Sequence, residues 1–307
     1  MPWALLSLIL ALSCNSRLGK CSGEKTSSPA PEALEHPLPS PDFEIFPLEE
    51  RMLSREGLED LTNRYSFTIM LTASIPRGGV RKCSGAIIAP RLILTAAHCV
   101  CVGGKPTRGQ SEAPTISKSM TCAESATVTT AIYDSSQGVL ENLLGGQYED
   151  HAGKVHPHPD FKLLSDNETA ATSADLATIV LDQPVSSAFH PVRLALDEPS
   201  PGESVTVVGY GQDETSGLTL GVRRFGRAKI TSTSQEGGFL ETHGLVALSS
   251  NGGTSCLHEH GQEIALMGLT SGYAGERPAF TSVYHYRDWL LAELQQANPL
   301  ELKGSRP

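Results

Sequence analysis

Short apolar stretches, rich in β-branched residues and bounded by Gly, Pro or polar residues, recur along most of the chain. This pattern is typical of β-strands. The stretches fall into two groups with no helical period between them, which predicts an all-β fold of two packed antiparallel barrels. The predicted strands are Tyr65–Ser74, Ser84–Ala89, Arg91–Thr95, Ala126–Tyr133 and Leu176–Leu181 in the first group, and Val205–Tyr210, Arg227–Thr233, Ile264–Leu269 and Ala279–Tyr284 in the second.

Clear helical spacing occurs near the end of the chain, in Tyr286–Gln296. Trp289, Leu290 and Leu294 lie along one face of this segment, which is the pattern of an amphipathic helix. We therefore predict a C-terminal helix.

The first residues have the features of an export signal. Trp3–Leu12 is apolar but too short to cross a bilayer, and it suits the core of a signal peptide. The following Ala11–Cys14 resembles the lipidation motif of bacterial lipoproteins, which predicts a lipid on Cys14. Ordinary cleavage nearby, which would remove Cys14, is the alternative. We expect an exported protein, either secreted or held at a bacterial cell envelope.

The sequence divides into four segments. Residues 1–21 form the predicted signal, and residues 22–60 are rich in Pro, Ser and Glu without any period, as in a flexible tether. Residues 61–297 form one globular domain, and residues 298–307 form a tail.

Charge argues against one class of partner. The 307 residues carry a formal net charge of -10, and Lys and Arg do not cluster along the sequence. A solvated acidic surface is therefore expected, and nucleic-acid binding is not. The lipid on Cys14 is the one expected link to a membrane.

The most specific segment is Cys83–Val100, which reads CSGAIIAPRLILTAAHCV. Two apolar runs flank a Pro-Arg turn, and His98 directly precedes Cys99. This segment resembles the histidine-bearing part of trypsin-like serine proteases of the chymotrypsin fold, in a style closest to bacterial secreted or lipoprotein members. The resemblance extends from about Leu61 to Gln296, and it implies that His98 is the histidine of a Ser–His–Asp triad.

Export makes the cysteines candidates for disulfide bonds. Apart from Cys14 there are six of them, which allow 15 connectivities. The resemblance implies a Cys83–Cys99 bond, which would close a loop of about 15 residues and stabilise the fold by roughly 3 kcal/mol. A Cys101–Cys122 bond would join the two ends of the polar insertion between these cysteines. Cys21 and Cys256 remain, either paired or free.

The family's aspartate follows its histidine along the chain. Here Asp175 opens the apolar stretch Leu176–Leu181, as the triad aspartate does in the family. The upstream segment His156–Phe161 resembles the family's His-Pro stretch. The resemblance therefore implies that Asp175 orients the histidine. The histidines His156 and His158 are a weak basis for a metal site, because two ligands alone rarely hold an ion.

The nucleophile position departs from the family pattern. Residues 248–257 read LSSNGGTSCL where relatives have GDSGGP followed by apolar residues. Aligning the glycine pair puts Asn251 on the nucleophile, whereas aligning Cys-Leu puts Gly252 there. Neither is a serine. Ser250 and Ser255 are alternative nucleophiles, but a misplacement of about 1 Å can cost on the order of a hundredfold in rate.

In the same comparison with the family pattern, some further positions of the catalytic site are altered and others are retained. Ser249 replaces the oxyanion-hole glycine in the first alignment, and Leu245 falls near the base of the specificity pocket. Gly268–Gly272 resembles the strand that lines the substrate cleft, which makes Ser271 and Gly272 cleft residues.

Three functions follow as hypotheses. The first is an inactive homologue, a binding or scaffolding module that holds a protein or peptide in its vestigial cleft. The second is an active serine endopeptidase that uses Ser250 or Ser255. The third is a metal-dependent hydrolase using His258, Glu259 and His260, which is weaker because these residues are predicted to form a hairpin turn. No cofactor and no metal are expected.

Overall fold

The computed structural model describes residues 57–103, 119–163, 171–211, 221–234, 239–243, 252–274 and 277–297. The predicted signal, nearly all of the tether and the tail lie outside these ranges, as do Cys14 and Cys21. In the described ranges, no helix combines the length and the apolar character that a bilayer span requires.

The described residues form eighteen strands and two α-helices. The helices are α1 Val139–Gly145 and α2 Arg287–Ala297. The strands are β1 Leu58–Glu59, β2 Thr68–Ile75, β3 Gly79–Ala89, β4 Leu92–Thr95, β5 Cys101–Gly103, β6 Met120–Cys122, β7 Ser125–Ile132, β8 Gln147–Pro157, β9 Lys162–Leu163, β10 Ala171–Ser173, β11 Ala177–Leu181, β12 Arg193–Leu194, β13 Ser204–Gly209, β14 Arg224–Thr233, β15 Phe239–His243, β16 Ser255–His260, β17 Glu263–Ala274 and β18 Arg277–Ser282.

Six antiparallel strands close the first barrel in the order β11–β4–β3–β2–β7–β8. Strand β2 shows why the barrel forms, because its alternate residues Ile69, Leu71, Ala73 and Ile75 are at most 2% exposed. Closure also leaves no free sheet edge among these strands.

The second barrel follows the order β14–β13–β16–β17–β18–β15, and β15 pairs with both β18 and β14. The pairing therefore returns to its starting strand. Strand β1 adds to the edge of β14, and β12 adds to β17 in parallel. The prediction of an all-β fold with two barrels and a C-terminal helix is confirmed.

Helix α2 packs on the first barrel through one face. Leu290 and Ala297 are buried, and the carboxylate of Glu293 accepts a hydrogen bond from Thr178 Oγ1 at 2.6 Å. Trp289 packs edge-on against His158, with ring centroids 4.7 Å apart.

Both predicted disulfide bonds, Cys83–Cys99 and Cys101–Cys122, are present. Cys256 is a free, buried thiol. The predicted role of Cys101–Cys122 as a staple fits the pairing of β5 with β6, in which these two cysteines are directly opposed.

A buried ion pair joins the start of the domain to the second barrel. The side chains of Arg223 and Asp60 are both fully buried. The Nε atom of Arg223 donates a hydrogen bond to Asp60 Oδ2 at 2.8 Å. The guanidinium also donates to the hydroxyl of Tyr210 and lies 5.0 Å from the ring centroid of Tyr133. These contacts satisfy a charge that would otherwise be costly to bury.

Candidate active site

The ends of two paired strands bring the predicted histidine and aspartate together. Strands β4 and β11 are antiparallel, with Thr95 opposite Ala177. His98 follows β4 in a short 3₁₀ turn, and Asp175 precedes β11, so both residues leave the barrel at the same end.

The aspartate is completely enclosed and uses both of its oxygens. Its Oδ1 atom accepts from the backbone N–H of His98 at 2.8 Å, and its Oδ2 atom lies 2.7 Å from His98 Nδ1. The Oδ2 atom also accepts from Ser271 Oγ at 2.7 Å. The side-chain exposure is 0% for Asp175 and 9% for His98. This arrangement fixes the imidazole plane and its position.

The backbone before the aspartate is unusual. Ala174 has a φ of 48°, in the left-handed region that residues with a Cβ rarely occupy. Its N–H donates to the hydroxyl of Tyr286 at 3.0 Å, which ties this turn to the segment that leads into α2. The tie holds the carboxylate of Asp175 against the histidine.

The hydrogen bond to Asp175 also sets the histidine tautomer. A carboxylate can only accept, so Nδ1 of His98 carries the proton and Nε2 is left with a lone pair. Such an imidazole can take a proton from a hydroxyl placed at Nε2. The chemistry available at this site therefore depends on what faces Nε2.

Gly252 lies against that nitrogen. A Cβ atom added to Gly252 would be 2.0 Å from His98 Nε2, 2.5 Å from His98 Cε1 and 2.8 Å from Cys99 Sγ. The carbonyl oxygen of Gly252 accepts from the N–H of Ser84 at 2.9 Å, which holds this segment against the first barrel. Any side chain at this position would require the backbone or the imidazole to move.

The next residues continue this close packing. Gly253 has a φ of 76°, and a Cβ there would meet the carbonyl oxygen of Ser84 at 2.0 Å. Its N–H donates to Thr270 O at 3.1 Å, and the N–H of Thr270 donates to Thr254 O at 2.9 Å. These bonds also bring Ser271, which follows Thr270, to the aspartate.

Ser255 lies within β16 and is fully buried. Its Oγ atom has no hydrogen-bond partner in the described part of the chain, His98 included. Gly272 lies in β17 beside Ser271, opposite Ala279. Leu245, Ser249, Ser250 and Asn251 lie outside the described residues.

His156 and His158, which were considered as metal ligands, contact other groups of the protein. His158 Nδ1 accepts from the N–H of Asp160 at 3.1 Å, and burial lowers the pKa of this histidine against an opposing effect of Asp160. His156 Nδ1 lies 3.3 Å from Glu293 Oε2. The two rings thus contact different neighbours.

The prediction of a hairpin turn over His258, Glu259 and His260 is wrong. All three residues lie in β16, and the turn follows them at Gly261. Consecutive strand residues point to opposite faces, so the glutamate is separated from the two histidines. His258 Nδ1 lies 3.1 Å from a Glu203 oxygen.

One group of potential metal ligands is present among the described residues, formed by Cys83, His98 and Cys99. Its two sulfur atoms are joined in the disulfide bond and are not thiolates, so this group does not suit a metal ion.

Three contacts that position the site were not predicted from the sequence. They are the hydrogen bond from Ser271 to Asp175, the hydrogen bond from Ala174 to Tyr286, and the approach of Gly252 to His98. Each joins segments that are distant in sequence, and no local pattern marks them.

Fold, disulfide bonds and the His–Asp pair together define the class of chymotrypsin-fold serine proteases and their homologues. The sequence profile of the trypsin family matches residues 59–290, and the chain belongs to this family. A fold of this kind with disulfide bonds is typical of extracellular proteins.

The chain is similar to two further proteins. Brachyurin from Leptuca pugilator is 25% identical over 227 residues, which are 68% of this chain and 85% of brachyurin. The solved structure of the scabies mite inactivated protease paralogue S-I1 has a TM-score of 0.55 at 18% identity, covering 78% of this chain and 99% of that one. The second likeness concerns the fold.

Proposed function

We propose that this chain is a catalytically inactive member of the trypsin family whose former cleft binds a protein or peptide segment. One observation carries the inactive part of the proposal. The lone pair of His98 Nε2, which would activate a hydroxyl, faces the backbone of Gly252, and a Cβ there would be 2.0 Å away. We infer that Gly252 stands at the nucleophile position.

The loss of the nucleophile accounts for the loss of activity. Removing the serine of such a triad lowers turnover by about a millionfold, and an ordered histidine and aspartate do not compensate. The mite protein with the similar fold is described as an inactivated protease, which is compatible with this proposal.

The binding part of the proposal rests on a cavity beside the site, which the predicted cleft residues Ser271 and Gly272 do not line. This cavity has a volume of about 340 Å³, and Met70, Lys82, Cys83, Tyr148 and Tyr210 are among its lining residues. Cys83 is bonded to Cys99, so the cavity borders the disulfide bond that flanks the histidine. Concave, mainly apolar surfaces with a few polar groups suit peptide side chains.

An active endopeptidase using Ser250 or Ser255 is the competing function. For Ser255, the buried position in β16 and the lack of a hydrogen bond to His98 argue against it. Ser250 would lie two residues before Gly252.

A fluorophosphonate probe tests the inactive part. We expect no labelling of the wild-type chain, with active trypsin as the positive control. Labelling that disappears in Ser250→Ala or Ser255→Ala would overturn the proposal and identify the nucleophile.

Selection from a displayed random-peptide library tests the binding part. We expect enriched peptides to lose binding to Met70→Arg, which fills the cavity. They should keep binding to Leu144→Arg, because Leu144 is 82% exposed and does not line the cavity. Failure to enrich any peptide would contradict a binding cleft.

We further propose that the chain is exported to a bacterial cell envelope and anchored through a lipid on Cys14. The motif at Ala11–Cys14 supports the lipid anchor, and the two disulfide bonds support export. Incorporation of labelled palmitate should be abolished by Cys14→Ser. Equal labelling of the variant would contradict it.

A further inference from the structure

The outer face of the second barrel carries two cations without carboxylate partners. Strands β13 and β14 pair Ser204 with Lys229 and Thr206 with Arg227. Residues of β14 alternate, so Ala228 is buried whereas Arg227 and Lys229 are exposed. Within the described ranges, neither of these two side chains forms an ion pair.

The carboxylates near them already have partners of their own. Glu259 accepts from Arg64 at 3.1 Å and from the Tyr65 hydroxyl at 2.6 Å. Glu203 lies 3.1 Å from His258, and Glu59 lies 2.9 Å from Arg224. This face is therefore locally positive, although the whole chain carries a formal charge of -10.

A cavity of about 270 Å³ is set into the face. Arg64, Ser204, Thr206, Arg227 and Glu259 are among its lining residues. Thr206 is only 4% exposed, and its hydroxyl makes no hydrogen bond with another described residue. A hydroxyl at the wall of the cavity that no described residue engages can donate to a bound ligand.

These donors match a tetrahedral oxyanion. Guanidinium groups bind the oxygens of sulfate or phosphate groups in pairs, and hydroxyls can donate to a further oxygen. A planar carboxylate offers only two oxygens and would leave some of these donors unused.

A second concavity extends the site. It has a volume of about 320 Å³ and shares Arg64 with the first, and His190, Arg193 and Gln262 also line it. Arg193 lies 3.9 Å from Glu263, but both side chains are more than 80% exposed, so this pair is weak and its arginine can turn to a ligand. Two concavities that meet at one arginine suit a chain-like ligand that crosses it.

We propose that this face binds a sulfated polysaccharide, with one sulfate group in the cavity of Arg64, Thr206 and Arg227 and further sulfates along Lys229 and Arg193. A polymer with repeated sulfate groups can reach all of these cations at once, whereas a single phosphate group would occupy only the cavity. The site uses none of the residues around His98, so it does not depend on the state of the cleft.

Salt elution from an immobilised sulfated polysaccharide tests the proposal on the full chain. We expect retention on heparin and none on the same polymer after desulfation. The double variant Arg227→Gln/Lys229→Gln should bind at least tenfold more weakly. Its log–log slope of affinity against salt should fall by about two, one for each lost contact.

Two further variants distinguish binding at this site from a general effect of positive charge. Arg77→Gln/Lys154→Gln removes two exposed cations from the first barrel and should bind like wild type. Thr206→Val keeps the charge and shape and should weaken binding several-fold, since it removes the hydroxyl that lines the cavity. Thermal unfolding of each variant confirms that it is folded.

Three results would overturn the proposal of a sulfated polysaccharide. Equal losses in both double variants would show a general charge effect. Equal retention on the desulfated polymer would exclude sulfate recognition, and binding of a phosphoserine peptide without heparin binding would replace the polysaccharide by a phosphopeptide.

Discussion

His98 Nε2 and Gly252 are packed so closely that the Cβ of any other residue at position 252 would lie 2.0 Å from the nitrogen. A hydroxyl nucleophile requires a Cβ and then an Oγ between the backbone and the imidazole. The backbone at this point leaves no space for either atom.

This relationship predicts that Gly252→Ser does not recreate a protease. The added side chain must displace the imidazole or the backbone, and such overpacking costs about 1–3 kcal/mol. Denaturant unfolding should show this loss, and peptide hydrolysis should remain at background. Gly145→Ser is the matched control, because a Cβ there meets nothing within 4 Å. Efficient hydrolysis by Gly252→Ser would show that the segment adapts easily.

The buried pair of Asp60 and Arg223 should be far more important for stability than its exposed neighbour. Asp60→Asn leaves a buried guanidinium without its counter-charge, which costs about 3–5 kcal/mol. Glu59→Gln removes the partly exposed partner of Arg224 and should cost less than about 1 kcal/mol. Urea denaturation measures both variants. Similar losses for the two would contradict the assignment of a buried pair.

The thiol of Cys256 should be unreactive in the folded protein. Burial, with a smaller effect of Glu203, raises the pKa of its thiol, so little thiolate forms even in mildly alkaline solution. Iodoacetamide should therefore modify it only after unfolding, as mass spectrometry can show. The raised pKa of the thiol also determines how the stability of the fold changes with pH. The unfolded thiol ionises above about pH 8.5, so stability falls as pH rises beyond that value, and less so in Cys256→Ser. Rapid native alkylation would refute the buried position.

His158 should destabilise the fold in mild acid. Its pKa is lowered by burial, so the folded state holds it neutral while the unfolded chain takes up a proton below about pH 6.5. Stability is therefore lost as pH falls from there, by at most about 1.4 kcal/mol per pH unit for this one proton.

The variant His158→Asn keeps an acceptor for the Asp160 N–H and should show a shallower decline between pH 7 and pH 5. His190→Asn serves as the control, because His190 is exposed. An unchanged pH profile in His158→Asn would assign the acid sensitivity to other groups.

The parts of the fold and site that the sequence predicted are those encoded in continuous segments. Cys83, His98 and Cys99 belong to one such segment, and Asp175 opens a plainly apolar strand. Their meeting then follows from the pairing of β4 with β11. Strand β8 was missed because its buried alternate positions include His151 and Gly153, which do not look apolar.

Long-range contacts were beyond prediction. Asp60 and Arg223 are 163 residues apart, and nothing local distinguishes the buried Asp60 from the partly exposed Glu59 beside it. The two alignments at Asn251 and Gly252 differ by a shift of one residue, and the sequence contains no information on which backbone approaches the histidine.

Ser84, in the first barrel, forms three hydrogen bonds at the floor of the site, and two of them join it to segments of the second barrel. Its N–H donates to Gly252, its Oγ accepts from the N–H of Tyr210, and its carbonyl accepts from Thr95 Oγ1. A partner would therefore meet a floor whose shape is already set before binding. Association should follow a single exponential without a slow rearrangement phase, and little ordering entropy should be lost on the protein side.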